Sequence, residues 1–325
     1  MSSTGNSPLA HHAITSVQAI PRINTSSMFH GTGPDDSASP VDQFITNTNS
    51  INKIYLRHYK ENANNGEADD SQAAIPPELG ALAVLGYMSA VESYFRALLR
   101  NLIEVDDHVR ALAEPMEITF AAALYHESRL LAEALSENMS FAGEQNIADM
   151  LRKRIGIKGQ LPVEIEEVLK EFRKVCEIRH CCVHRFGRLG SKNAVSLGMR
   201  DHSAILEKPF TPSLDHLQAI ADLLRTFVKS VNNFVFRSLI ERIGIEGGVG
   251  NDGLYDWQWT GEFDDDRERF EQYYNLFASK DDTPPSPNIE TVYKDLCNYF
   301  ASKSTRRKGG TRYPRKQGTP PDKLT

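Results

Sequence analysis

The stretch that decides the fold is PVEIEEVLKEFRKVCEIRHCCVHRFG, residues 162–187. Its apolar side chains recur at steps of three and four residues, which is the spacing of one face of an amphipathic α-helix. That face consists of Ile165, Val168, Leu169, Phe172, Val175 and Cys176. Arg179 occupies the next position on the same face. Because burial of a charge is unfavourable, this arginine must be buried and paired, or it must line a groove.

Apolar spacing along the rest of the chain predicts an all-α fold, an antiparallel bundle of four to five helices. We expect a disordered arm over 1–40, a short helix and linker over 41–75, and the bundle over 76–243. A small C-terminal α(+β) extension follows over 244–302, and 303–325 is expected to be a basic, disordered tail.

Within the bundle, Pro76 and Pro77 open a long helix, since proline suits a first helical turn. A helical region over 107–137 is expected to be broken at Pro115, and the next helix runs from Ser140 to about Gly156. After the helix that ends at Gly187, residues 194–210 are expected to form a short hairpin or an irregular segment. Ser213 is a favourable N-cap for a final long helix that reaches about residue 243.

Composition restricts the compartment and the partners. The chain has 325 residues and a net charge of −6, and no apolar run approaches the roughly 20 residues that span a bilayer. Three of its four cysteines crowd one helix, which is a poor disulfide framework. The N-terminal residues lack the pattern of a signal peptide. We therefore expect a cytoplasmic protein with no membrane partner.

The end of the 162–187 helix carries residues suited to phosphate chemistry. Arg179 provides a permanently charged fork that matches a phosphate group. His180 and His184 are four residues apart and share a helix face, and imidazole exchanges protons near neutral pH. RNA cleavage needs a base for the ribose 2′-hydroxyl, an acid for the leaving oxygen, and positive charge at the phosphorane. These residues could supply those roles without a metal or another cofactor.

Arg179, the polar His180 and then His184 resemble the R-x(4–6)-H signature of the HEPN-domain family. The apolar-His-x-x-Gly pattern of Val183 to Gly187 also resembles HEPN sequences. Together with the surrounding helices, the resemblance covers roughly residues 79–243. The resemblance implies a metal-independent endoribonuclease, in which two domains dimerise and share one composite active site. It implies that Arg179 stabilises the phosphate, His184 transfers protons, and His180 orients them.

Members of that family often act as toxins or phage-defence effectors that cut tRNA or mRNA, so an antitoxin or sensor partner is implied as well. Other members are inactive or bind nucleotides. Arg179 and His184 are separated by about 140° around an ideal helix, so they do not point the same way within one regular helix. Either the helix loosens before Gly187, or a symmetric second copy brings its own motif into reach, and we favour the dimer. Arg185 precedes the loop after the helix and is expected to support the site, and Arg188 and Lys192 in that loop are expected to bind RNA.

A second charged residue falls on an apolar stripe. Glu92 lies on the face that otherwise consists of Leu85, Met88, Phe95, Leu99 and Leu102. An unpaired buried charge is costly, so we expect Glu92 to pair with Arg179. The tail also suits RNA, since 303–325 carries eight basic residues against one acidic residue. We expect contacts to the RNA backbone from Arg306, Arg307 and Lys308.

Other interpretations of the same residues stay open. Arg179 could belong to a structural ion pair, and the domain could be a non-catalytic interaction module or a helical scaffold. The two histidines with Cys176, Cys181 and Cys182 contain zinc-ligand types, but no C-x2-C pair is present. A cysteine nucleophile is less favoured, because these cysteines fit small core positions. Trp257 and Trp259 could stack bases, although half-buried packing is the simpler role.

Overall fold

The computed structural model describes residues 15, 20–29, 31, 37–64, 75–127, 131–246 and 259–307, and of residues 61–64, 245–246 and 300–307 only the backbone. This part of the chain is helical, as the sequence predicts. The helices are α1 (Pro40–Asn64), α2 (Pro77–Val105), α3 (Asp107–Ala113), α4 (Phe120–Tyr125), α5 (Leu131–Ser136), α6 (Glu144–Asp149), α7 (Val163–Arg185), α8 (Ser191–Leu197), α9 (Met199–His202), α10 (Leu214–Glu241), α11 (Phe263–Phe277) and α12 (Ile289–Arg307).

The chain divides into two units, Met1–Ser37 and Ala38–Thr325. In the described part of the first unit, a short 3₁₀ turn at Thr25–Met28 is held by hydrogen bonds from Ser26 and Ser27 to Asn24. All the helices α1–α12 belong to the second unit. Of the expected arm over 1–40, residues 1–14, 16–19, 30 and 32–36 lie outside the described residues, and its last residue, Pro40, begins α1.

Four long helices, α1, α2, α7 and α10, pack together in the second unit. Gly80 lies against Pro212 just before α10, and Asp106 just after α2 bonds to Arg242 just after α10, so α2 and α10 run in the same direction. Helix α1 runs against α2, because Ile51 packs on Gly86 and Phe44 packs on Tyr94. The bundle therefore contains parallel and antiparallel helix pairs.

The core is rich in aromatic rings. Phe172 of α7 stacks on Phe227 of α10 with ring centroids 4.2 Å apart, and Phe95 of α2 contacts both Phe227 and Phe141. Buried polar pairs lie among the rings; in one of them the Tyr94 hydroxyl donates to Asn232 over 3.2 Å. Helix α2 is buried on several sides, which explains its apolar composition.

The expected boundaries need two corrections. Helix α1 is a 25-residue helix and not a short element before the bundle, and it buries Phe44 and Tyr55 in the common core. The C-terminal helices also join this core, because Phe270, Tyr273 and Tyr293 are buried in the same cluster. Burial of apolar surface explains why α1 and the C-terminal helices join the core, since each helix must pack its apolar face against another element.

The regions between the long helices also differ from expectation. The region 107–137 is interrupted at Pro115, as expected, but it forms three short helices, α3 to α5, and not two longer pieces. Residues 194–210 form no hairpin by themselves. They hold α8, α9 and a 3₁₀ turn, and Arg188 pairs with Pro209 in an isolated bridge. Helix α12 continues to Arg307, so the first residues of the expected tail are helical.

Several local signals are confirmed by the structure. The Ser213 hydroxyl accepts the His216 amide over 3.2 Å and caps α10, as serine does at many helix starts. Proline stands at the start of both α2 and α7. Trp259 is half-buried, with its ring 5.4 Å from those of Phe270 and Tyr293, whereas Trp257 lies outside the described residues. None of the described helices combines the length and apolarity that crossing a bilayer requires.

Candidate nucleic-acid site at the end of helix α7

The motif lies at the end of the bundle where α7 stops and where α2 and α10 begin. The Phe210 amide donates to the Gly187 carbonyl over 2.8 Å, which joins the end of α7 to the segment before α10. The first turn of α2 also packs here: Gly80 lies so close to Pro212 that an added Cβ would clash with the proline ring. We call this region, where the end of α7 meets the starts of α2 and α10, the corner. Glycine at position 80 thus permits the close approach that fixes this corner.

Helix α7 ends in an unusual backbone conformation. Phe186 and Gly187 both have positive φ values, +50° and +81°, and their amides bond to the Cys181 carbonyl. Glycine adopts this left-handed region readily, but a bulky residue such as phenylalanine seldom does. The Phe186 side chain is 85% exposed, so burial of the ring does not explain its conformation.

The three motif residues are accessible. His180 and His184 are exposed one turn apart, with ring centroids 4.6 Å apart in an edge-to-face arrangement. Arg179 is half-buried, and within the described residues its guanidinium forms neither a hydrogen bond nor an ion pair. The sequence suggested that this arginine is either paired or at the edge of a groove, and the structure favours the second alternative. An unengaged guanidinium on the same helix end as two exposed imidazoles is available to an anion.

The expected pairing of Glu92 with Arg179 is wrong. Both side chains are half-buried, and the described residues include no ion pair between them within 4.0 Å. Both charges nevertheless act on the Cys176 thiol, whose pKa is raised mainly by burial, lowered by Arg179 and raised by Glu92. Partial exposure to water removes the need for a direct contact, because each charge keeps part of its hydration.

Arg185, which was expected to support the site, and Arg188, which was expected to bind RNA, both have structural partners. The guanidinium of Arg185 forms an ion pair with Glu207 over 2.5 Å, and Arg188 donates to the Glu207 carbonyl over 3.0 Å. Glu207 itself has a φ of +62°, and its amide bonds to Leu189 over 3.0 Å. These contacts hold the chain after α9 against the chain after α7. Arg185 and Arg188 therefore shape the corner, and Lys192 is exposed beside them.

Sequence reasoning missed the residue that anchors α8. The Glu177 carboxylate accepts hydrogen bonds from Asn193 over 2.7 Å and from Ser196 over 2.8 Å. This pairing brings α8 against α7 at a position two residues before Arg179. No sequence pattern predicts this contact, because the turn between α7 and α8, and not helical spacing, brings Glu177 to Asn193 and Ser196.

The surface of the corner is both cationic and apolar. Residues 179–208 carry six basic and two acidic side chains, although the whole chain is acidic. Arg200 and Lys208 are exposed here and were not singled out from the sequence. Exposed apolar side chains lie among them: Val183, Phe186, Val195, Met199 and Ile205. A surface with both properties suits a polyanion together with an apolar contact.

The tail lies largely outside the described residues. Arg306 and Arg307 are the last residues of α12, where only the backbone is described, and Lys308 is not described. Their contact with RNA stays a prediction.

The motif cysteines are held as thiols. Burial raises the pKa of Cys176 to about 12 and that of Cys182 to about 11, and it also raises the pKa of Cys181. A thiol is a poor nucleophile and a poor metal ligand until it loses its proton. The cysteines therefore act as small apolar side chains behind the histidines.

These thiols predict a pH dependence of stability. The free energy of unfolding is expected to fall as pH rises above about 9, because the unfolded thiols, with an ordinary pKa of 9.0, then lose protons that the folded ones keep up to about 11 and 12. Urea unfolding between pH 8 and pH 10 measures this slope. The Cys176→Ala/Cys182→Ala variant should show a shallower slope, and an unchanged slope would contradict the assignment.

The fold and the site define an all-α protein with a cationic, partly apolar corner at the end of its bundle. Comparisons with protein-family models, with curated proteins and with solved structures found no match to this chain.

Proposed function

We propose that this chain is a metal-independent endoribonuclease whose composite site forms when two copies bring their Arg179 and His184 residues together. Arg179 stabilises the negative charge at the phosphorane, His184 transfers the proton, and His180 orients the two. The 2′-hydroxyl of the substrate is the nucleophile, so cleavage is restricted to RNA. tRNA or mRNA is the proposed target, and a cytoplasmic toxin or phage-defence effector, with an antitoxin or a sensor as partner, is the proposed setting.

The single observation that carries this proposal is the free guanidinium of Arg179. It lies on the same helix end as two exposed imidazoles, in a corner that is cationic within an acidic chain. A structural arginine on an apolar stripe would instead have a carboxylate or carbonyl partner. The resemblance of this segment to HEPN domains supports the same assignment of roles.

The apolar surface around the motif supports the proposed homodimer. Val183 precedes His184 on α7, and Val195 and Met199 are exposed on the two helices that follow, α8 and α9. A second copy that covers these side chains would bury apolar area and bring a second motif into reach. The substrate phosphate would then lie between two sets of basic residues.

The proposal is tested by cleavage of labelled RNA in EDTA. Wild-type protein is expected to cut a single-stranded RNA and to leave 2′,3′-cyclic phosphate ends, because the 2′-hydroxyl attacks the adjacent phosphate. A matched substrate with one 2′-deoxy nucleotide at the mapped cut should resist cleavage at that position only. Cleavage of single-stranded DNA, or loss of cleavage in EDTA, would contradict the proposal.

A second candidate function is a non-catalytic module that binds a nucleotide or RNA. It is favoured because neither His180 nor His184 has a partner that would orient its ring for proton transfer: among the described residues, no carboxylate lies within 4.0 Å of either ring. Such a module would bind RNA through the same corner and leave it intact. A folded, dimeric wild-type protein that binds RNA without cutting it would establish this alternative.

A further inference from the structure

Phe186 has two independent anomalies that the proposed chemistry leaves unexplained. Its backbone is in the left-handed region at a φ of +50°, and its ring is 85% exposed at the end of the motif helix. An exposed aromatic ring forfeits the stabilisation that burial gives. A bulky residue with positive φ is strained, and such strain persists where surrounding contacts fix it, often at functional sites.

The surrounding contacts do fix this residue. The amides of Phe186 and Gly187 bond to Cys181, and the Gly187 carbonyl accepts from Phe210. The next side chain toward the motif, Arg185, is anchored by its ion pair with Glu207. The ring is therefore presented to solvent from a rigid support and not from a loose loop.

The position of the ring relates it to the phosphate-binding residues. The Cα atoms of Phe186 and His184 are at most about 7 Å apart, because they are two residues apart in the chain. An aromatic face beside a phosphate-binding group is the arrangement by which proteins hold an unpaired nucleobase, and stacking of one base contributes strongly to affinity. Base pairing in a duplex hides the faces that such a ring requires.

We propose that Phe186 is a stacking platform for one unpaired nucleobase next to the phosphate at Arg179 and His184. This inference rests on the proposed function for the identity of the ligand, a single-stranded RNA, and it makes the site selective for unpaired nucleotides. Phe186 is a substrate-positioning residue and takes no part in proton transfer.

Binding of a 2′-O-methylated oligouridylate tests the platform, because this probe keeps its bases but lacks the attacking hydroxyl. Phe186→Leu is expected to weaken binding about tenfold, whereas Phe186→Trp should bind as wild type does. The tryptophan fluorescence that Phe186→Trp adds to wild type should be quenched by this single strand. It should not be quenched by the duplex with oligoadenylate.

Two controls separate stacking from folding and from dimerisation. Phe120→Leu, which alters a phenylalanine 82% exposed on α4, should leave binding unchanged. Phe186→Gly suits the left-handed backbone, so it should keep or raise the unfolding midpoint while losing affinity as Phe186→Leu does. Wild-type affinity in Phe186→Leu would overturn the platform. Dissociation of the dimer in that variant would overturn it too, since the ring would then contact the second copy.

Failure of this inference is distinguishable from failure of the proposed function. RNA cleavage by wild type together with unchanged binding in Phe186→Leu removes the platform and leaves the ribonuclease. Binding that depends on an aromatic residue at position 186, without cleavage of any RNA, supports the platform and removes the ribonuclease.

Discussion

Replacing His184 by alanine is expected to lower the rate of metal-free RNA cleavage by about three orders of magnitude, the usual contribution of a positioned general acid or base. The exposed imidazole makes few contacts apart from its ring contact with His180, so the fold should be preserved. Arg179→Ala should cause a loss of about 10²- to 10³-fold, because the phosphorane loses its cationic partner. Arg179→Lys should recover only part of it, since lysine lacks the planar fork.

Cleavage rates with gel-mapped products measure these effects, and unfolding midpoints confirm that each variant is folded. His202→Ala is the matched control: this histidine belongs to the same corner, but its Nδ1 atom lies 2.8 Å from the Gly198 carbonyl. It should cleave RNA at nearly the wild-type rate. Equal cleavage by His184→Ala and wild type would contradict the assigned role and point to another site.

A mixture of the two inactive variants tests whether subunits share the site. After refolding together, Arg179→Ala and His184→Ala protomers form some heterodimers that contain one intact arginine and one intact histidine. Activity above that of both parents would support a composite site. A mixture as inactive as its parents, with heterodimers demonstrated, would contradict it.

Asp106→Asn is expected to lower the free energy of unfolding by about 3–5 kcal/mol, because it leaves a buried arginine without its counter-charge. The Asp106 carboxylate is 0% exposed. It accepts from Arg242 over 2.5 Å, from the Tyr273 hydroxyl over 2.9 Å, and from the Val109 amide over 2.9 Å. One side chain thus joins α2, α3, α11 and the turn after α10.

Asp107 supplies a matched control one residue further along the chain. Its carboxylate is about half exposed and pairs with Arg110 over 2.8 Å, so Asp107→Asn should change stability by less than about 1 kcal/mol. Urea unfolding compares the two variants, and similar losses would contradict the role of Asp106. Addition of Arg242→Met to Asp106→Asn should recover much of the loss, since the arginine charge that lost the Asp106 carboxylate is then removed.

This network is remote from the motif. Asp106 and Gly80 lie at opposite ends of α2, about 40 Å apart at the usual rise of an α-helix. The remaining folded fraction of Asp106→Asn should therefore cleave RNA at the wild-type rate. The two variants at positions 106 and 184 separate stability from chemistry.

Local patterns in the sequence were sufficient for the long helices α2, α7 and α10. The apolar spacing that ends at Cys176 specifies α7, and Ser213 specifies the start of α10, because helical spacing and caps involve residues within one or two turns. The same spacing placed Arg179 on a mainly buried face. It also placed His180 and His184 together, and the structure shows their rings in contact.

Local patterns failed where a partner is distant in the chain. The pairing of Glu92 with Arg179 was inferred because each residue lies on the apolar face of its helix. Helical spacing does not determine how much of such a face is exposed to water. The ion pair of Arg185 with Glu207 and the bond of Asp106 to Arg242 could not be found in this way. Each joins elements whose approach depends on the whole packing.

The sequence by itself determined the all-α class, the helices α2, α7 and α10, and the residues that carry the proposed chemistry, since these follow from side-chain type and short-range spacing. Only the tertiary structure decided that Arg179 is unengaged and that Arg185 supports the corner. It also decided that Phe186 is exposed in a left-handed conformation. These properties depend on contacts between segments such as 186–189 and 207–210, which chain folding alone brings together.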